Sequence, residues 1–347
     1  MANTARGLDD ICATYVDMGT TNTRVWLMRG TGRLASVTTP IGIRDSARNG
    51  SGGIRKSLRE LLVNAVQESE RNGQLVTPEF VVASGMIGST LGLIEVPHIQ
   101  APAGIDELTA AARWHHFPDV SELPVLLIPG IRSGLAGTTV DSIGEVDVMR
   151  GEETLCAGLV ALELIKPPCT VLNLGSHWKA IQVSRDGKIG SSVTSLSGEL
   201  LHAAQLHTVL ASSVVKERPE KLADKWIETG MEEQRRSGLA RALFCARLLD
   251  LAHQGSPEDR LAFVAGAFIA ADLDALMARG VIAPESNIAL VGHSSISDAW
   301  RTALMGKNID ATIISQEQSE TALLESLRRI LAGALPLLES PLPRARK

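Results

Sequence analysis

Asp17-Met18-Gly19-Thr20-Thr21-Asn22-Thr23-Arg24 gathers a carboxylate, a glycine, three threonines, an asparagine and an arginine in one short stretch. Glycine lets a backbone approach a phosphate closely, and turn amides with threonine hydroxyls donate to phosphate oxygens. Asp17 at the end of a strand can hold Mg²⁺ directly or through water, and Arg24 adds positive charge. The same residues also suit an ordinary hairpin with Gly-Thr turn chemistry. Gly175-Ser176-His177-Trp178-Lys179 repeats the pattern. Alone it reads as a plain β-turn; paired with the first motif it reads as a second phosphate clamp. Gly292-His293-Ser294-Ser295 fits a strand-to-helix turn that seats a nucleotide base or ribose on helix-start amides. The alternative there is a helix N-cap supplied by Ser294 or Ser295.

Arg150-Gly151-Glu152-Glu153 sets two adjacent carboxylates at a helix start. Acidic residues favour that position for dipole reasons alone. The functional alternative is a general base that takes a proton from an attacking hydroxyl. His177, His202 and His207 have no partners at metal-site spacing, and His115-His116 beside Trp114 read as a surface loop pair. The chain has no G-x-x-x-x-G-K-[ST], no G-x-G-x-x-G, no G-x-S-x-G and no H-E-x-x-H. Its four cysteines form no C-x-x-C pair, which suits a reducing, cytoplasmic setting.

The elements that position these residues follow from periodicity. Tyr15-Val16 reads as a strand, 17–22 as a turn and Thr23–Met28 as a second strand, with Leu34–Thr38 completing a β-meander. Ile54–Glu70 reads as an amphipathic helix with Leu58, Leu61, Leu62, Ala65 and Val66 on one face. Phe80–Ala83 and Val125–Ile128 are short apolar strands that run into glycine-containing loops, where open α/β sheets bind ligands. Thr138–Asp147 reads as a polar loop or lid, and a helix runs from Arg150 towards Leu164. Thr170–Leu174, the turn at Gly175 and Trp178–Val183 repeat the opening strand-turn-strand pattern. That internal repeat points to two related domains. Helices are expected over Glu199–Leu210, most of Leu239–Arg279, Ile296–Leu304 and Glu317–Ala332, with a strand at Ile288–Val291.

The whole chain has 347 residues, 44% of them hydrophobic and 21% charged, which suits two folded domains. A net charge of −5 argues against a nucleic-acid or anionic-membrane surface and leaves room for a small anion held locally. The apolar run Leu261–Ala271 is too short to span a bilayer and reads as a buried helix.

In order along the chain, these motifs resemble the actin-like ATPase superfamily of hexokinases and sugar kinases. They are most similar to the 2-dehydro-3-deoxygalactonokinase family. The resemblance rests on Asp17–Leu27, Ser84-Gly85-Met86-Ile87-Gly88-Ser89, Ile128-Pro129-Gly130, Val148-Met149-Arg150-Gly151-Glu152-Glu153-Thr154, Gly175-Ser176-His177, Ser197-Gly198-Glu199-Leu200 and Gly292 onward. It implies an α/β fold of two ribonuclease-H-like domains with ATP in an interdomain cleft. The expected extents are 12–147 and 148–334, with a tail at 335–347 and the last helix packing back on the first domain. The implied activity is ATP- and Mg²⁺-dependent phosphorylation of a 2-keto-3-deoxy sugar acid on its terminal hydroxyl, in galactonate catabolism.

By the same similarity, Asp17 serves the metal. Gly19, Thr20, Thr21, Asn22 and Arg24 serve the phosphates, with Gly175, Ser176, His177 and Lys179 as the second loop. Gly292, Ser294 and Ser295 lie towards the adenosine. Gly85, Met86, Gly88 and Ser89 lie towards the sugar acid, whose carboxylate falls to Arg44, Arg132 or Arg150. Glu152 is the first choice for the base and Glu153 the second. The family's second loop usually reads Pro-Gly-Thr-His-x-Lys-Trp, whereas here Leu174-Gly175-Ser176-His177-Trp178-Lys179-Ala180 lacks the Pro and the final Trp. A related keto-deoxy or hexonic acid is therefore an alternative substrate, as is a non-catalytic sensor of the same fold. The expected partner is a small molecule, with a homodimer as the expected assembly.

Overall fold

The computed structural model describes residues 8–43, 51–135 and 137–339. The chain divides into two compact units, Met1–Leu162 with Glu320–Lys347, and Glu163–Ser319.

The first unit opens with β1 (Cys12–Met18), β2 (Thr23–Arg29) and β3 (Gly32–Thr39), an antiparallel meander. There follow α1 (Ser51–Arg71), β4 (Phe80–Gly85), β5 (Ile99–Gln100), α2 (Ile105–Ala111), β6 (Arg113–Phe117), β7 (Ser121–Leu127), β8 (Ile131–Ser133), β9 (Asp147–Met149) and α3 (Glu152–Ala161). The main sheet has the order β3-β2-β1-β4-β7-β6, and β5-β8-β9 form a small second sheet. Ile54, Leu58, Leu61, Leu62 and Ala65 of α1 join the core built on Val16, Val25 and Leu27. Burial of this apolar stripe is what holds α1, because isolated helices are marginal in water.

Asp17 is the last but one residue of β1, paired with Arg24, and not the first residue of a turn. The strand continues through Asp17 to the buried Met18 because ladder pairing, not an unbroken apolar run, sets its end. His115 and His116 likewise lie in the edge strand β6 and not in a loop; the His115 ring stacks on Phe117 at 5.7 Å. An edge strand tolerates polar residues on its open side, so they do not mark a loop. Thr138–Asp147 contains one short helical turn at Ile143–Glu145, and its last residue opens β9.

The second unit contains β10 (Cys169–Leu174), β11 (Trp178–Val183), β12 (Ile189–Ser195), α4 (Ser197–His207), α5 (Asp224–Ser237), α6 (Leu239–Leu251), α7 (Pro257–Ala278), β13 (Ile288–Gly292), α8 (Ser294–Met305) and β14 (Ala311–Ile314). Its sheet order is β12-β11-β10-β13-β14. By length and composition α7 could cross a membrane, yet 67% of its apolar window is buried, among Leu261, Phe263, Phe268 and Ile269 of the core. The last α-helix is α9 (Gln316–Ala334), which belongs to the first unit from Glu320 onward. There the indole of Trp114 donates to the Ala334 carbonyl at 2.9 Å.

The two sheets share one plan. Each begins with a three-stranded meander whose first strand then pairs in parallel with a later strand. Met18 at the end of β1 faces Gly85, and Leu174 at the end of β10 faces Gly292. The internal repeat in the sequence is therefore a repeat of topology and of register.

Candidate functional site

In the first unit, the Gly19 amide donates to the Asn22 carbonyl at 2.8 Å and closes the 19–22 turn. Thr20 is half-buried, and Thr21 and Asn22 are exposed beyond the strand ends. The Asp17 side chain faces Gly85. Gly85 has φ 82°, and a Cβ there would overlap the Met18 carbonyl and lie 3.3 Å from Asp17 Oδ1. Only glycine takes that φ without strain, so the close approach of loop to carboxylate depends on it. Gly151 lies on the same spot: a Cβ on it would stand 3.3 Å from Gly85 Cα. The helix start at Glu152 is thereby set beside Asp17.

Burial pushes the Asp17 carboxyl up to about 6; the Glu152 charge adds to this and Arg24 opposes it. Burial and the neighbouring Glu152 push Glu153 up to about 7, against hydrogen bonds from Gly151 and Thr154. Glu153 is fully buried at 0% exposure. Both its oxygens accept from the Gly151 amide, at 2.9 and 2.7 Å, and Thr154 Oγ1 donates to one of them at 3.0 Å. Glu152 is half-buried, and one of its oxygens accepts from the Arg150 amide at 3.1 Å. Spacing could not separate these adjacent glutamates; burial does.

Glu153 also ties stability to pH. Its folded pKa of about 7 exceeds the ordinary 4.5, so the folded state binds the proton more tightly than the unfolded state. Stability then falls as pH rises through that window. Glu153→Gln removes this titration. Its melting temperature relative to wild type should climb between pH 4.5 and 7 and level off above, by several degrees, on the order of 3 kcal/mol. A melting difference that stays constant from pH 5 to 8 would refute the assignment.

Arg150 lies against the Gly85–Ser89 segment, whose Met86–Gly88 part is a single helical turn. Its Nη2 donates to the Val96 carbonyl at 2.8 Å and contacts His98 Nδ1 at 3.3 Å. Its Nη1 sits 3.1 Å from where a Gly88 Cβ would be. Ser89 Oγ is engaged locally, donating to the Met86 carbonyl at 2.7 Å. Arg132, on β8, donates through Nη2 to Thr138 Oγ1. Arg150 Nη1 and Arg132 Nε are buried and have no partner among the described residues. Arg44 lies outside the described residues. His98 was not among the residues singled out by the motifs; it precedes a two-residue strand that leaves no periodic signal.

In the second unit, a Cβ on Gly198 would overlap the Gly175 and Ser176 carbonyls and lie 2.9 Å from the Trp178 indole nitrogen. The first turn of α4 therefore packs directly on the 175–177 turn. Asp272 of α7 holds that helix start, accepting from Ser195 Oγ at 2.5 Å and Ser197 Oγ at 2.8 Å. His177 Nε2 stands 3.5 Å from the Glu199 carboxylate. Lys179 is 4% exposed within the sheet, and its amine donates to Thr194 Oγ1. Gly292 ends β13, and the N-cap of α8 is His293 and neither serine. Ser295 is buried and its hydroxyl is 3.1 Å from His293 Nδ1, which turns it away from capping, while Ser294 is exposed at the helix start. As at any helix start, the first amides lack carbonyls of their own helix.

The donor set suits a hard cation bound through oxygen. Asp17 offers a desolvated carboxylate beside phosphate-type turn amides, and Mg²⁺ is commonly held by one or two carboxylates, waters and substrate phosphates. No cluster of three or more metal-ligating side chains occurs among the described residues.

Comparison with known proteins agrees with the topology. The 2-keto-3-deoxy-galactonokinase family model matches residues 17–329. The chain is 25% identical over 321 residues to the 2-dehydro-3-deoxygalactonokinase of Escherichia coli, covering 92% of this chain and 98% of that protein. A solved structure from Sinorhizobium meliloti, provisionally described as a 2-dehydro-3-deoxygalactonokinase, superposes with a TM-score of 0.72 at 23% identity, covering 93% and 99% of the two chains. The activator of 2-hydroxyisocaproyl-CoA dehydratase from Clostridium difficile, solved with bound ADPNP, gives a TM-score of 0.52 at 12% identity, covering 96% and 100%. The architecture is that of the actin-like ATPases and sugar kinases. A family match spanning nearly the whole chain, on a doubled sheet with a glycine turn at each repeat, places this protein in the 2-keto-3-deoxy-galactonokinase family of phosphotransferases.

Proposed function

We propose that the protein transfers the terminal phosphoryl group of ATP to the 6-hydroxyl of 2-keto-3-deoxy-galactonate. The observation that carries this reading is the duplicated strand-turn-strand unit, with turns 19–22 and 175–177 at equivalent places in the two sheets. The nucleotide-bound neighbour of like fold supports ATP as the donor. Gly19, Thr20, Thr21, Asn22 and Arg24 serve phosphates, as do Gly175, Ser176 and His177, and Gly292, Ser294 and Ser295 serve the adenosine. Asp17 holds Mg²⁺, which when bound supplies neutralising charge to the phosphates.

Glu152 accepts the proton of the terminal hydroxyl as its oxygen forms the new bond to phosphorus. Position ranks ahead of pKa here, because a base must reach the hydroxyl. Glu153, fully buried and held by Gly151, positions the helix start that presents Glu152. Gly85, Met86, Gly88 and Ser89 shape the sugar-acid side, and Arg132 and Arg150 take its carboxylate. Charged hydrogen bonds of this type are about twice as strong as neutral ones. The free thiols, three of them buried, suit a cytosolic enzyme.

A coupled ADP-release assay tests the reading. With ATP and Mg²⁺, ADP should appear only when 2-keto-3-deoxy-galactonate is added, and more slowly with hexonic acids. Nucleotide binding with no sugar-acid-dependent ADP would instead establish a sensor of the same fold.

A further inference from the structure

The peptide planes of the 175–177 turn are set by what their carbonyls rest on. A Cβ on Gly198 would stand 2.3 Å from the Gly175 carbonyl oxygen and 2.7 Å from that of Ser176, so both carbonyls face the first turn of α4. These peptides are trans, and in a trans peptide the N–H points opposite to the C=O. The amides of Ser176 and His177 therefore point away from α4. Neither amide donates to a group among the described residues. The turn thus presents two open amides whose direction depends on where α4 begins.

One side chain fixes that place. Asp272 Oδ2 accepts from Ser195 Oγ at 2.5 Å, and Oδ1 accepts from Ser197 Oγ at 2.8 Å. Ser195 ends β12 opposite Trp178, the residue that follows the turn, and Ser197 opens α4. Asp272 therefore clasps both elements that flank the turn. Ile269 and Leu273 beside it on α7 are fully buried, so the carboxylate is presented from a helix anchored in the core. Its partners among the described residues are the two serines alone. Burial pushes its carboxyl up, a cost that an apolar residue at this place would not carry. What the carboxylate supplies instead is direction, because it holds two hydroxyls at fixed positions.

We propose that Asp272 is a positioning residue for the nucleotide: through Ser195 and Ser197 it keeps Gly198 behind the turn, and so keeps the Ser176 and His177 amides aimed at a phosphate. It touches no substrate itself. The role rests on the phosphate reading of turn 175–177 above and adds to it a residue from a distant helix. Asp272→Ala leaves two serine hydroxyls without their acceptor, and a loss of this kind weakens binding about tenfold. It falls on affinity because the nucleotide must then order the turn as it binds.

The test is calorimetric binding to the full chain, with ADPNP and Mg²⁺ as one probe and adenosine, which has no phosphate, as the other. Asp272→Ala should bind ADPNP about tenfold more weakly than wild type and adenosine within about twofold. Asp272→Asn, which can accept from one serine and donate to the other, should stay within about threefold for ADPNP. Ser197→Ala keeps Asp272 and removes one hydroxyl, so it should weaken ADPNP about threefold and serves if the alanine variant at 272 does not fold. A residue that only stabilised the fold would lower the binding stoichiometry and leave the affinity of the folded molecules unchanged. Wild-type affinity for ADPNP in the variants, or an equal loss for both probes, overturns the role of Asp272 and leaves the kinase reading standing. Wild type that does not bind ADPNP overturns both.

Discussion

Glu152→Gln should lower kcat about 10²–10⁴-fold, the usual contribution of a positioned general base. The apparent affinity for the sugar acid should stay within a few-fold. Glutamine keeps the shape of the side chain and an oxygen to accept from the Arg150 amide, so the helix start survives. What is lost is the ability to take a proton. The burial pattern sets the contrast with the neighbouring residue: Glu153 spends both oxygens on Gly151 and has no exposed surface. Steady-state kinetics of Glu152→Gln with ATP and 2-keto-3-deoxy-galactonate decide the matter. A variant that keeps near-full kcat would remove Glu152 from the mechanism.

Arg150→Met should raise KM for the sugar acid about 10²-fold, in line with loss of one partner from a partly buried charged contact. KM for ATP should change little. Methionine fills much of the same space but supplies neither the Val96 contact nor the open Nη1. Arg150→Lys should recover little, because an ammonium cannot reproduce a planar fork that holds Val96, His98 and a carboxylate at once. A KM for the sugar acid within threefold of wild type would exclude Arg150 as the carboxylate ligand. The Glu152 and Arg150 effects fall on different kinetic constants, so each is readable without the other.

Much of the chemistry was legible in local sequence. Turns 19–22 and 175–177 are glycine-bearing breaks between strands, and such breaks depend on a few adjacent residues. The α1 stripe is likewise written in helical spacing, because burial of one face is local information. The helix start at Arg150–Glu153 needed only glycine followed by acids. The extent of β1 was less legible, since Asp17 stays in the ladder through pairing with Arg24 and Ser84. Strands β5, β8 and β9, of two or three residues each, are too short to carry a period.

By itself, then, the sequence determined the doubled plan of strand, glycine turn and strand, and the set of residue types able to meet phosphates, a metal and a hydroxyl. Tertiary structure decided which of those residues are buried and which stand open. It placed Glu153 in the interior and left Glu152 accessible, although the two are neighbours in one motif. It drew Lys179 into the sheet and brought His98 and Arg150, from separate parts of the chain, within 3.3 Å of each other. Burial and cross-strand pairing are properties of distant segments meeting, and spacing along one segment carries no record of them.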